Sequence, residues 1–162
     1  MKVPKNVTPE QFAKILEDKK KALIPALEKV VGLCCRKMND DIINSMTKTP
    51  LNMERSYYTH NKSIPHHPSF PGNPPARDSG HLIQSIRWEV KTEKETVIGR
   101  VGSIQKEVPY GAYLEGLELE GLERGNSKTA PRPWLRPAMT KNEAFIKKNI
   151  DDTVNKVLKG VE

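Results

Sequence analysis

Apolar residues recur every three or four positions over residues 12–46, which is the spacing of a helix with one buried face. Thr8 can cap the start of this helix, and Gln11 stands three positions later, where it completes a capping box. Pro25 interrupts the pattern, so we expect it either to kink the helix or to end it and begin a second one. Residues 1–47 are therefore predicted to be helical.

The next thirty residues lose this regular spacing. Residues 48–77 hold six of the thirteen prolines, and we interpret them as a long, basic, irregular loop with some extended structure around Arg55–Thr59. Loops of this length are uncommon inside compact domains and tend to be functional or disordered.

The pattern then changes from helix to strand. Asp78 or Ser79 can cap a short helix over residues 79–85. Residues 86–90 alternate apolar and charged side chains, and residues 96–102 are again rich in β-forming residues, which predicts an antiparallel hairpin.

Residues 110–114 are consistent with a third strand or a short helix. A last apolar stripe over residues 139–158 predicts a closing helix that ends at Gly160.

These elements predict an α+β fold: N-terminal helices and a C-terminal helix packed on a small antiparallel β-sheet, with a long proline-rich loop. At 162 residues the chain is expected to form a single domain, residues 1–162, which can bury about 70% of its unfolded surface. We divide it into a helical part (1–47), the basic loop (48–77) and the remainder (78–162).

The net charge of +7 is unevenly distributed. Residues 1–47 and 48–77 each carry +3, whereas residues 78–137 are neutral. This excess fits docking to an acidic partner or work near DNA, although a DNA-reading protein more often concentrates its basic residues on one element.

Cys34 and Cys35 are adjacent, a spacing at which a disulfide is strained, and this favours a reducing compartment. The opening residues Met1–Thr8 are polar, and no apolar run approaches the roughly 20 residues of a membrane span. We therefore expect a soluble, intracellular protein with no membrane segment.

Candidate catalytic residues are sparse. Three of the four histidines fall in or near the proline-rich loop, and His66 and His67 lie between prolines without a partner motif, so no metal and no cofactor is expected. A hydrolase would use Asp78, His81 and either Ser79 or Ser85, but no nucleophile elbow accompanies them. We predict that the protein is not an enzyme, and the hydrolase alternative requires these side chains to converge in a pocket.

Two segments are bounded by prolines: residues 71–79, here called the first arm, and residues 130–138, here called the second arm. The first arm places Arg77 beside Asp78, and in the second Arg132 and Arg136 flank Trp134. Arginine and tryptophan on stiff backbone are typical of interface anchors. The equal alternative is that Trp134 fills the protein's own core while the arginines cap carbonyl groups.

The order of these motifs is distinctive. P-G-N-P-P-A-R-D-S-G-H-L begins at Pro71, a hairpin ending V-G-S follows, and Y-G-A-Y-L-E precedes A-P-R-P-W-L-R-P-A. From about Pro71 to its end, the chain resembles the tail-completion, or head–tail joining, proteins of long-tailed double-stranded DNA bacteriophages and prophages. The sequence departs from the family's pattern where Glu115 meets Gly116 directly, with an acidic insertion after it and no aromatic residue between.

The resemblance implies a non-catalytic structural protein of virion assembly that completes the phage tail and joins it to the head at the neck. Its implied partners are the head-neck and tail-tube or terminator proteins, further copies of itself in an oligomeric ring, and packaged DNA through non-specific contact. It would act in the host cytoplasm during assembly and remain in the virion. The alternative is a basic, nucleic-acid-binding accessory protein of a phage or prophage.

The interface predicted on this basis comprises Arg77, Asp78, Tyr113, Glu115, Arg132, Trp134 and Arg136.

Overall fold

The computed structural model describes residues 8–58, 65–103 and 132–160. The elements in chain order are α1 (Pro9–Thr47), β1 (Tyr57–Tyr58), β2 (Pro65–His66), α2 (His81–Ser85), β3 (Ile86–Glu93), β4 (Thr96–Ser103) and α3 (Leu135–Lys159). Within the described residues, β1 pairs with β2 and β3 pairs with β4. The predicted α+β class, with terminal helices and a small antiparallel sheet, is confirmed.

Helix α1 begins as its sequence predicts. The Thr8 backbone N–H donates to Gln11 Oε1 at 3.0 Å, and the Gln11 N–H donates to Thr8 Oγ1 at 3.3 Å, so the two residues form a capping box. The helix then continues through Pro25 to Thr47. Pro25 therefore does not end the helix and begin a second one, which was one of the two alternatives. Proline removes only its own backbone N–H from a helix, and the residues in the turns on either side of it still have theirs to donate.

The start of α2 differs from the prediction. Its cap is Gly80, whose φ of 86° lies in the left-handed region, and no side chain caps the helix. Asp78 and Ser79 were thus wrong as N-caps, although Ser79 Oγ accepts a hydrogen bond from the His81 N–H at 3.4 Å. The physical reason is that glycine adopts a positive φ without steric cost, which lets the first arm turn directly into the helix.

The hairpin forms where it was expected, and its strands are longer. Strand β3 extends to Glu93 and β4 to Ser103, with Lys94 and Glu95 between them. The earlier part of the predicted loop also contains paired backbone: Tyr57 lies opposite His66, and Leu51 forms an isolated bridge with Ser69. Residues 110–114 lie outside the described residues.

The chain divides into two compact units. The first comprises Met1–Arg36, Glu89–Arg100 and Asn142–Glu162. In it, the β4 backbone lies so close to α1 that a Cβ on Gly99 would stand 2.5 Å from Cys35 Sγ. Burial raises the pKa of both the Cys34 and Cys35 thiols, so they pack as small neutral side chains.

The second unit comprises Lys37–Trp88 and Val101–Lys141. Its buried apolar cluster consists of Met38, Ile42, Met46, Leu82, Ile86, Trp134 and Ala138. These residues come from the end of α1, from α2 and β3, and from the second arm. Both arms therefore belong to this unit. That residues 1–162 behave as one domain stays a prediction.

No helix in the described part of the chain is both long enough and apolar enough to cross a membrane.

Candidate interface formed by the two arms

The second arm is bonded to Ser69, which lies two residues before the first arm. Arg132 Nε donates to Ser69 Oγ at 3.1 Å and to the Ser69 carbonyl oxygen at 3.3 Å, and Arg132 Nη2 donates to the same carbonyl at 3.2 Å. Ser69 is fully buried, so these bonds satisfy polar groups that have no access to water. Arg132 thus caps a carbonyl group within this chain, as expected under the alternative in which the arginines cap carbonyl groups and Trp134 fills the core.

Trp134 fills the core of the second unit. Only 3% of its surface is exposed, and it belongs to the buried cluster with Ile42 and Met46 of α1 and with Ile86 of β3. Trp134 thus fills the protein's own core, which is the second of the two alternatives. Its burial fixes the direction in which the second arm enters α3. Participation of Trp134 in contact with another protein stays a prediction.

The first arm is held at its middle and near its C-terminal end. Thr49 Oγ1 donates to the Pro74 carbonyl oxygen at 3.1 Å, and His66 Nδ1 lies 3.6 Å from Asp78 Oδ1. Pro75 between them is buried. The arm therefore has a fixed backbone, and Arg77 and Asp78 are exposed at its end.

The predicted interface residues thus fall into three groups. Arg132 and Trp134 hold the arms in place, whereas Arg77, Asp78 and Arg136 are exposed on the same unit. Tyr113 and Glu115 lie outside the described residues. The exposed charged side chains are those that can reach another molecule.

Sequence reasoning missed a second feature of this unit. Leu51, Met53 and Phe70 are 44%, 69% and 43% exposed, so this unit presents three large apolar side chains to solvent. Leu51 forms the bridge to Ser69, and Phe70 follows Ser69 in the chain, so two of the three come from the paired segment beside the first arm. The sequence does contain a hint of these residues, because they are isolated apolar side chains in a loop whose apolar positions follow neither helical nor strand spacing.

The arrangement of polar groups offers little for catalysis. The Ser85 hydroxyl is buried and donates to the Leu82 carbonyl oxygen at 2.8 Å, and Ser79 Oγ accepts from a backbone N–H rather than from the His81 ring. Within the described ranges, no three histidine, cysteine or acidic side chains are grouped as metal ligands would be. This geometry gives the hydrolase alternative no support.

We predict that Arg132→Ala lowers the free energy of unfolding by about 1–2 kcal/mol, because it leaves the buried Ser69 carbonyl and hydroxyl with fewer partners. Urea unfolding followed by circular dichroism measures this loss. Arg77→Ala is the matched control: Arg77 is exposed, so its removal should change stability by less than about 0.5 kcal/mol. Equal losses for the two variants would contradict the anchoring role of Arg132.

Comparison of the chain with known protein families, with curated proteins and with solved structures finds no match.

Proposed function

We propose that this protein is a structural component of virion assembly, which completes a phage tail and joins it to the head at the neck. The proposal rests on the two proline-bounded motifs and their order along the chain. One observation supports it most: Arg132 of the second motif is bonded to Ser69, which lies two residues before the first motif and 63 residues before Arg132, and both motifs belong to one compact unit. Two motifs that define a family resemblance are thereby parts of one surface-forming structure.

The physical character of that surface supports a docking role. Its backbone is fixed by proline, by Thr49 and by Arg132, so little conformational entropy would be lost when a partner binds. It exposes Arg77 and Arg136 together with large apolar side chains. Arginine, methionine and phenylalanine are among the residue types enriched at protein–protein interfaces.

The proposed partners follow from the resemblance. They are the head-neck proteins on one side and the tail-tube or terminator proteins on the other, with further copies of this chain closing a ring through a heterologous interface. The protein would work in the host cytoplasm during assembly and stay at the head–tail junction of the virion. No cofactor and no catalytic step is part of this proposal.

A second candidate function is nucleic-acid binding, which the net charge of +7 favours. It predicts DNA affinity that falls steeply with salt, because each neutralised phosphate releases counterions. Titration of labelled duplex DNA at low and at physiological salt tests this, and no binding at low salt would remove the candidate.

Deletion of the gene from its phage or prophage tests the joining function in the cell. We expect DNA-filled heads and separate tails in electron micrographs of the lysate, with joined virions restored by the gene supplied in trans. Normal joined virions from the deletion would contradict the proposal.

A further inference from the structure

Strand β3 has an edge that no other described strand covers. Over residues 8–58, 65–103 and 132–160, it pairs with β4 alone, in a sheet of two strands. Residues 87–89 and 91–93 are exposed. A strand of eight residues with a free edge offers a row of backbone donors and acceptors to any strand that approaches it.

The side chains of this strand carry alternating charge on one face. Arg87, Glu89, Lys91 and Glu93 follow one another at every second position, which places them on the same side of the strand. Glu89 Oε1 already lies 3.2 Å from Lys91 Nζ and 3.0 Å from Arg100 Nη1, and Arg87 donates to the carbonyl oxygens of Gln84 and Ile86. Arg87, Glu89 and Lys91 thus each have a partner within the hairpin or at its start.

This alternation is self-complementary when two copies of the strand run antiparallel. With Val90 opposite Val90 of a second copy, each Arg87 faces a Glu93 and each Glu89 faces a Lys91. Two ion pairs of each kind form because of the twofold symmetry. Opposite charges directly across an antiparallel pair stabilise it, and like charges destabilise it.

The same charges exclude the neighbouring registers. A shift that places Lys91 opposite Lys91 also places Glu89 opposite Glu93, so every charged pair is of like sign. A shift in the other direction places Glu89 opposite Glu89 and Arg87 opposite Lys91. The register centred on Val90 makes four opposite-charge pairs, more than any other register of this strand, so the charge pattern favours it over the alternatives.

We propose that β3 is the interface of a twofold symmetric dimer of this chain, in which two copies join antiparallel at Val90 to make a four-stranded sheet β4–β3–β3–β4. The partner is a second copy because its own strand supplies the complementary charges. Such an isologous contact closes on itself. The inference does not depend on the proposed function, because strand β3 alone carries it.

Sedimentation equilibrium tests the dimer directly. We expect the purified protein to interconvert between monomer and dimer, with the dimer weakened by added salt because its exposed ion pairs are screened. A protein that stays monomeric up to about 500 µM, a concentration at which even a weak contact is populated, would overturn the proposal.

Charge reversal at one pair tests the register. Arg87→Glu and Glu93→Arg each place like charges opposite one another at two points of the dimer, so each variant is expected to raise the dissociation constant at least about tenfold. Mixing the two variants should restore association, because the mixed dimer regains opposite charges at both points. Circular dichroism of each variant verifies that the hairpin still folds.

Lys94→Glu is the matched control, since it makes the same change of charge in the turn outside β3 and should leave the dimer intact. If either single variant associates as strongly as the unmodified chain, or if the mixture associates no better than its components, the β3 dimer is overturned.

Discussion

Trp134→Ala is expected to lower the free energy of unfolding by about 3–5 kcal/mol, the range seen when a buried aromatic side chain is truncated. Trp134 is 3% exposed and packs with residues from α1, α2 and β3, so its removal opens a cavity in the buried cluster of the second unit. Urea denaturation, followed by far-ultraviolet circular dichroism, measures the loss.

Trp88→Ala is the matched control for this prediction. Trp88 is 42% exposed and lies in the same compact unit, so its truncation should cost about 1 kcal/mol or less. If Trp134→Ala were no more destabilising than Trp88→Ala, Trp134 would not be the centre of this core.

Gly99→Val should cost about 3 kcal/mol, because β4 passes α1 without room for a side chain. A Cβ at Gly99 would lie 2.5 Å from Cys35 Sγ and 2.6 Å from Val31 Cγ1, well inside van der Waals contact. Either the strand or the helix must move, and the packing of the first unit is lost in part. Thermal and urea unfolding of the variant measure the effect.

Gly102→Val provides the comparison on the same strand. No heavy atom lies within 4 Å of a Cβ built at Gly102, and valine favours extended backbone, so this change should be neutral or stabilising. A loss at Gly102 equal to that at Gly99 would show that the strand tolerates neither substitution, and the close approach to α1 would not be the cause.

The elements that the sequence predicted well are those specified by neighbouring residues. The capping box of Thr8 and Gln11 lies within one turn of helix, and the hairpin depends on two strands separated by Lys94 and Glu95. Both signals are local, so each could be interpreted before any tertiary contact was known. The cap of α2 was missed because a glycine in the left-handed region competed with two good side-chain caps.

The candidate site could be predicted only in part. The arms were identifiable from proline, arginine and tryptophan, but the bond from Arg132 to Ser69 spans 63 residues, and no local pattern encodes it. Whether Trp134 faces a partner or its own core depends on what the rest of the chain places around it. The same holds for the exposure of Leu51 and Phe70.

The arms connect stability to function in this account. Arg132 and Trp134 hold the second unit together, whereas Arg77 at the end of the first arm is exposed. Substitutions of the first kind should therefore lower both stability and assembly. Substitution of Arg77 should lower assembly alone, because it removes a contact with a partner without disturbing the fold.

The most direct test of the joining function is complementation in an extract. Purified protein is added to heads and tails that were made without it, and infectious particles are counted. Arg77→Ala is compared with Arg55→Ala, which removes the same charge from an exposed position outside the arms.

The account predicts that the unmodified protein and Arg55→Ala restore infectivity, and that Arg77→Ala reduces it at least about tenfold, as loss of an interface anchor would. Failure of the unmodified protein to join heads and tails that are otherwise competent would contradict the proposed function.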